Sequence, residues 1–504
     1  MLPWAAFCYF YPINDDIAIL TSLADIMLDG GKIGIDYYDS NPPFSIVLYA
    51  PVVLLHDLTG LSLHISALVW SAAWVVWAVW TSALLLRLIF PQHPQDRIVI
   101  LSSFILAATI LSSTSFGERD HIVALALFPF SLLQFCYFRN IKVPRLLQAL
   151  ILIPGTFVIL VKPHHGLFPT IFLVARLIRN RNFFGFYRQP DFIALALGVL
   201  LYIAIVAIFF SAFITTILSD VLAYYVPESY YRTNLLKVIA VPVLTLPFWL
   251  VFQRQNISSE RREISNLLAL GAVLSAFCFF IQGKGFYYHL LPAVTFLACL
   301  GSYGLYVFLP VFLKKNIGPT PALALAAVIF YIITPFPATK VLYTDLQNLP
   351  LKKILTGSCP QSPCPFFIIT YLNIIYLDVF YFGDTHAVRM PGPWFLPTVL
   401  EKIHYGSPEE KAKAQAVMEK YKRYYAEDLL RNKPDVIILP KIKGFDVGET
   451  PFFKEILLSG EAFEKIWRNY EDKGPVKIRP SDYYDSATHP AFTEDYQLYI
   501  RKPD

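Results

Sequence analysis

The sequence predicts an all-α polytopic membrane bundle of about 11 helices, followed by a small C-terminal α/β domain outside the membrane. Three observations carry this expectation. Of 504 residues, 56% are hydrophobic and only 16% charged, far less charge than a soluble domain carries. The apolar residues fall in long runs, which separates a membrane bundle from a rich soluble core. From about residue 340 the composition changes, becoming charged, Pro-rich and no longer membrane-like. The expected domains are therefore 1–338, the membrane part including a first outward loop at 14–61, and 339–504.

The apolar segments read as spans are 1–13, 62–90, 97–115, 121–138, 147–161, 167–177, 192–214, 234–252, 265–282, 286–310 and 319–337. A crossing helix needs about 20 residues, so several must tilt or pair, and 1–13 is too short to cross alone. No cleavable signal pattern follows this first stretch. Orientation comes from basic loops, which stay cytoplasmic. The clusters are Arg139, Lys142 and Arg145; Arg176, Arg179, Arg181 and Arg188; Arg254, Arg261 and Arg262; and Lys314 with Lys315. An even number of spans separates each from the next, so one orientation satisfies them all. The net charge of +5 reflects these loops and excludes a nucleic-acid footprint.

That orientation turns the loops 14–61, 116–120, 162–166, 215–233 and 283–285 outward, together with the tail. In the tail, Ser407-Pro408-Glu409-Glu410 reads as a capping box with Pro in the first turn, opening a helix to about Arg431. Val436 to Leu439 and Tyr496 to Ile500 read as short strands. Cys8, Cys136, Cys278 and Cys299 lie in apolar runs and read as core hydrophobes. Cys359 and Cys364 share a polar outward loop, where a disulfide is expected in an oxidising compartment.

The outward loops hold most of the charge of interest. Asp15 and Asp16 follow the first apolar segment, and Asp39 precedes Asn41-Pro42-Pro43 and a short surface helix at 44–55. Glu118, Arg119, Asp120 and His121 occupy the second outward turn, Lys162, His164 and His165 the third, and Lys284, Tyr287, Tyr288 and His289 the fifth. Ionisable groups at a membrane boundary cost free energy unless they pair or work. Acids from early loops and cations from later ones on one face suit a reaction in which a carboxylate takes a proton while cations hold a phosphate. Each cluster also has a plain reading. Asp15-Asp16 can be a helix cap, Asp39 to Pro43 a turn, and Glu118-Arg119-Asp120 an interfacial ion network. Lys162 and Lys284 can snorkel, and His164 and His165 can be packed rings. No zinc-type spacing is present, so no metal site is predicted, although a divalent ion at Asp15 and Asp120 stays open.

Taken in order, these motifs resemble GT-C type glycosyltransferases, especially the lipid A aminoarabinose transferase and protein mannosyltransferase-like group. The resemblance runs through Asp15-Asp16, the segment Leu23 to Gly31, Ser40-Asn41-Pro42-Pro43-Phe44 and Phe116-Gly117-Glu118-Arg119-Asp120-His121. It continues through Val161-Lys162-Pro163-His164-His165-Gly166, Lys284 to Pro292, Lys433 to Ile437 and Tyr499-Ile500-Arg501. The chain differs from that pattern in having Asp-Asp where the family often has Asp-Glu, Asn41 at a usually basic position, and the His164-His165 pair.

The resemblance implies transfer of a sugar from a polyprenyl-phosphate donor to a lipid, glycan or protein acceptor outside the cytoplasm. It places such an enzyme in the bacterial inner membrane, among membrane lipids, with a periplasmic tail. By position, Asp15 looks like the general base, Asp16 its support and Asp120 the second acid. Arg119, Lys162 and Lys284 would stabilise the departing phosphate. Glu118, Asp39, His164, His165, Tyr288 and His289 would line the substrate. One base without a covalent nucleophile implies inversion. A lipid-linked glycan flippase and an O-antigen polymerase or ligase are the alternatives. A flippase should bury its charges at mid-membrane depth, and a polymerase or ligase should have a long outward loop between late spans.

Overall fold

In the computed structural model, the residues described are 8–112, 115–181, 183–224, 229–254, 257–283, 285–313, 318–333, 343–359, 363–369, 375–390, 392, 395–440, 454, 457–479 and 495–503. Lys284, Lys314, Lys315, residues 1–7 and residues 334–337 lie outside them. The architecture is the expected one, a helical membrane part and a small five-stranded sheet near the C-terminus. Seven described helices are long and apolar enough to cross a bilayer: Leu63–Ile89, Pro94–Leu111, Arg119–Phe138, Pro190–Phe209, Leu235–Phe252, Ser259–Gln282 and Tyr287–Pro310. Arg145–Val161, Leu167–Asn180 and Pro319–Ile333 are shorter.

The chain divides into two compact units. One comprises residues 68–205 and 228–336, the other 1–67, 206–227 and 337–504. The first is an aromatic-filled bundle. Phe104 stacks on Phe128 at 4.1 Å between ring centres, and Phe296 meets both Phe128 and Phe168. Close helix packing at Phe296 depends on Gly271, because a Cβ there would lie 2.5 Å from the Phe296 ring. Two sets of polar side chains buried in this bundle are matched. Arg176 pairs with Asp191, which also accepts from Gln134 at 2.8 Å. Asp96 accepts from Tyr303 at 2.6 Å and Arg261 at 2.9 Å. The basic clusters of the sequence thus include two structural ion pairs, which is how buried charge is tolerated.

The second unit gathers segments far apart in sequence. Its sheet has the order β2-β1-β3-β5-β4, with β1 at Pro365–Ile368, β2 at Thr385–His386, β3 at Val436–Pro440, β4 at Tyr470–Lys477 and β5 at Asp495–Arg501. Strand β1 runs parallel to β2 and β3, whereas β3/β5 and β5/β4 are antiparallel. The two strands expected from the sequence are β3 and β5, paired with Ile437 opposite Tyr499. Val436 to Leu439 is fully buried, so this central strand reads as an unbroken apolar run. The expected capping box is formed, and the helix runs Pro408–Asn432.

That helix also fastens the segment 34–38. Tyr38 and Tyr421 hydroxyls both donate to Asp220, at 3.3 and 2.7 Å, and Lys420 pairs with the same carboxylate. Arg389 donates to Asp428 at 2.8 Å, Glu427 at 2.9 Å and the Gly34 carbonyl at 3.2 Å. The Arg389 carbonyl in turn accepts from the Tyr38 amide at 2.7 Å.

Cys359 follows the helix Pro350–Ser358 and Cys364 precedes β1, and the two are joined as a disulfide with their Cα atoms 5.8 Å apart, inside the usual range. The loop it closes is short, so its entropic contribution is only about 2 kcal/mol. Replacing both cysteines by Ser is expected to lower unfolding stability by about that amount and to make it insensitive to dithiothreitol. A pair of melting curves with and without reductant checks this.

Candidate functional site

In the bundle unit, three element ends meet at one polar cluster. The helix Arg119–Phe138 begins with Glu118 as its cap, whose Oε2 accepts the Asp120 amide at 2.7 Å. Acidic residues belong here, because the unpaired amides of a first turn attract negative charge. The helix Arg145–Val161 ends at Lys162, and a 3-10 turn Pro163–Gly166 carries His164 and His165. A second 3-10 turn, Tyr287–Leu290, carries His289 into the helix Leu291–Leu313. Asp120 sits among them, fully buried. Its Oδ2 pairs with the Lys162 ammonium and accepts from His289 Nδ1 at 2.6 Å, while His165 Nε2 lies 3.9 Å from Oδ1. Arg119 stays 3.6 Å from Glu118.

These contacts fix the charges. Glu118 and Asp120 are balanced by Arg119 and Lys162, as buried ions require. His164 is held well below the usual imidazole range by burial, reinforced by His165 and Lys162, and burial lowers His165 as well. Both rings are therefore neutral near pH 7. With an ammonium and an imidazole N–H already on it, the Asp120 carboxylate orients Lys162 and His289. An ammonium has three N–H donors, so Lys162 can hold Asp120 and still offer an N–H to another acceptor.

The cluster rests on His121, a residue read in the sequence only as part of the second outward turn. Its Nδ1 accepts from the Gly117 amide at 2.9 Å, and its Nε2 donates to the Ala108 carbonyl at 2.8 Å. Ala108 lies in a π-helical stretch, Ala107–Leu111, where the wider turn displaces carbonyls from the usual ladder. Gly117 has φ +82°, a conformation other residues rarely adopt. The π-bulge makes this link, and no residue pattern announces it.

Asp15, Asp16 and Asp39 belong to the other unit. There Asn14 caps the helix Asp15–Leu28 through a 2.9 Å bond from the Asp16 amide, so Asp15 and Asp16 form its first turn. Asp39 Oδ1 accepts from the amide and the side chain of Asn41, at 3.2 and 2.9 Å, forming the expected turn. Asn14, rather than Asp15 or Asp16, is therefore the cap residue. In the bundle unit, Tyr288 is half-buried, with its ring 5.6 Å from that of Phe286 and 4.3 Å from that of His289. Among the described residues no three His, Cys, Asp or Glu side chains are grouped to hold a metal ion.

No family model matches the chain, and no curated protein matches it. Among solved structures, the chain is similar to the crystal structure of ArnT from Cupriavidus metallidurans in the apo state, with 13% identity, a TM-score of 0.49, and coverage of 86% of this chain and 90% of that one.

Proposed function

We propose that this chain is a GT-C type membrane glycosyltransferase that moves a sugar from a polyprenyl-phosphate donor to an acceptor on the outer face of a bacterial inner membrane, with its tail in the periplasm. Asp15 takes the acceptor hydroxyl proton and Asp16 supports it. The acceptor oxygen attacks the anomeric carbon once, with inversion, and the polyprenyl phosphate leaves with its bonding electron pair. Lys162, Lys284 and Arg119 stabilise the charge that develops on that phosphate. Glu118, Asp39, His164, His165, Tyr288 and His289 line the substrate.

The observation that supports this reading is the buried Glu118-Arg119-Asp120-Lys162-His289 cluster. Its members come from helix ends and the turns beside them, not from mid-helix positions as a flippase would require. Such a fixed, desolvated set of donors costs little reorganisation when a phosphate gains charge. Asp15→Asn removes the base without changing shape. Assayed in proteoliposomes with a polyprenyl-phosphate sugar and an envelope lipid extract as acceptor, this variant is expected to lose about 10²- to 10⁴-fold in turnover. Undiminished turnover ends the proposal for Asp15. Donor flipping without any transfer by the native chain ends the enzyme reading.

A further inference from the structure

A tail residue reaches the segment just ahead of the acidic pair. Tyr381 lies on the helix Ile375–Phe382, which packs against the helix Asp15–Leu28. Its hydroxyl oxygen accepts the Ile13 amide at 2.8 Å and lies 2.9 Å from His64 Nδ1. The opposite ring nitrogen, His64 Nε2, lies 3.2 Å from the Tyr9 carbonyl. His64 is only 2% exposed. A neutral ring with its proton on Nε2 satisfies the whole set: Ile13 N–H donates to Tyr381, Tyr381 O–H donates to His64 Nδ1, and His64 Nε2–H donates to Tyr9. One phenol and one imidazole thus tie down residues 9 and 13. Asn14 follows directly, and its carbonyl accepts the Ile17 and Ala18 amides at 3.0 and 3.1 Å, setting the first turn that carries Asp15 and Asp16.

We propose that Tyr381 and His64 are positioning residues that set the direction of the Asp15-Asp16 turn, so the tail supplies part of the geometry of the proposed base. This rests on the assignment of Asp15 given above. Neither side chain touches the reacting atoms in this scheme. Their effect is exerted through the backbone of residues 9–14, where a displacement near 1 Å can cost about 10²-fold in rate.

The test uses the full-length chain in proteoliposomes. Tyr381→Phe keeps the ring and removes the hydroxyl. It is expected to lower kcat by about 10- to 100-fold with donor KM within about twofold. His64→Leu is expected to match it, and His64→Gln, which keeps one donor and one acceptor, to recover part of the loss. In the Asp15→Asn background, Tyr381→Phe is expected to add no further loss. A Tyr381→Phe kcat within twofold of native, with Asp15→Asn inactive, overturns the positioning role and leaves the base assignment standing. A fall in activity matched by an equal fall in folded fraction, read by thermal melting, also overturns it, as does a further loss in the Asp15→Asn background. Native turnover in Asp15→Asn alone instead removes the base assignment.

Discussion

Asp120→Ala is expected both to reduce sugar transfer by about 10²- to 10³-fold and to destabilise the bundle by about 3–5 kcal/mol. The physical cause is the same for both. Lys162 is 4% exposed and Asp120 fully buried, so removing the carboxylate leaves an ammonium in an apolar interior with no compensating anion at that position. For a membrane part of this size the melting temperature should fall on the order of 10 °C. The double variant Asp120→Leu/Lys162→Met separates the two effects. Replacing a buried ion pair by apolar groups is often neutral or stabilising, so most of the stability should return. Activity should not, because the cation proposed to meet the phosphate is gone. Recovery of transfer in the double variant would show that the cluster is purely structural.

Asp378→Asn is expected to act in the opposite direction on the other unit. Asp378 is 1% exposed, and burial, aided by the nearby Asp384, pushes its carboxyl up to about 8 against a weaker pull from Lys352. Lys352 is committed to Asp384 at 2.6 Å, whose other oxygen accepts the Cys364 amide at 2.9 Å. The folded chain therefore holds a proton on Asp378 that the unfolded chain releases near pH 4. Stability from this group is complete below that pH, declines as pH rises through about 8, and is constant beyond. A tenfold change in proton affinity is worth about 1.4 kcal/mol, so the rise from 3.8 to about 8 represents on the order of 5 kcal/mol. Asparagine copies the protonated shape and cannot ionise. The variant should melt at the native temperature near pH 4 and well above it at pH 8.5. Parallel melting profiles for the two proteins across that range would remove the assignment.

Much of this architecture was legible in the sequence, for identifiable reasons. Apolar run length marked the spans, and the helices Arg119–Phe138 and Tyr287–Pro310 begin near the expected positions. Ser407 and Glu410 marked a helix start because capping is a local interaction. The strand Val436–Pro440 was visible because a central strand is apolar throughout. The edge strand Tyr470–Lys477 was not, since it carries Lys473, Gly474 and Pro475, residues that ordinarily argue against a strand. In the site, Asp120, Lys162 and His289 were each singled out as charged or ring groups at loop edges, and the fold brings them together. What could not be read was who pairs with whom. Arg389 with Asp428, Lys420 with Asp220, and Tyr381 with His64 join segments 39 to 317 positions apart, and single polar residues carry no periodic signal of a distant partner.

The interleaved make-up of the second unit has a consequence for synthesis. Its first portion ends at residue 67 and its last begins at 337, with the bundle translated between them. At roughly 5–20 residues per second, the leading segment emerges some tens of seconds before Arg389, Tyr421 and Tyr381 exist to receive it. During that interval Tyr38, whose buried ring meets that of Tyr421 in the finished protein, lacks this partner. The contacts of this unit are therefore completed only when the last third of the polypeptide has been made, so assembly is governed by the order in which parts arrive.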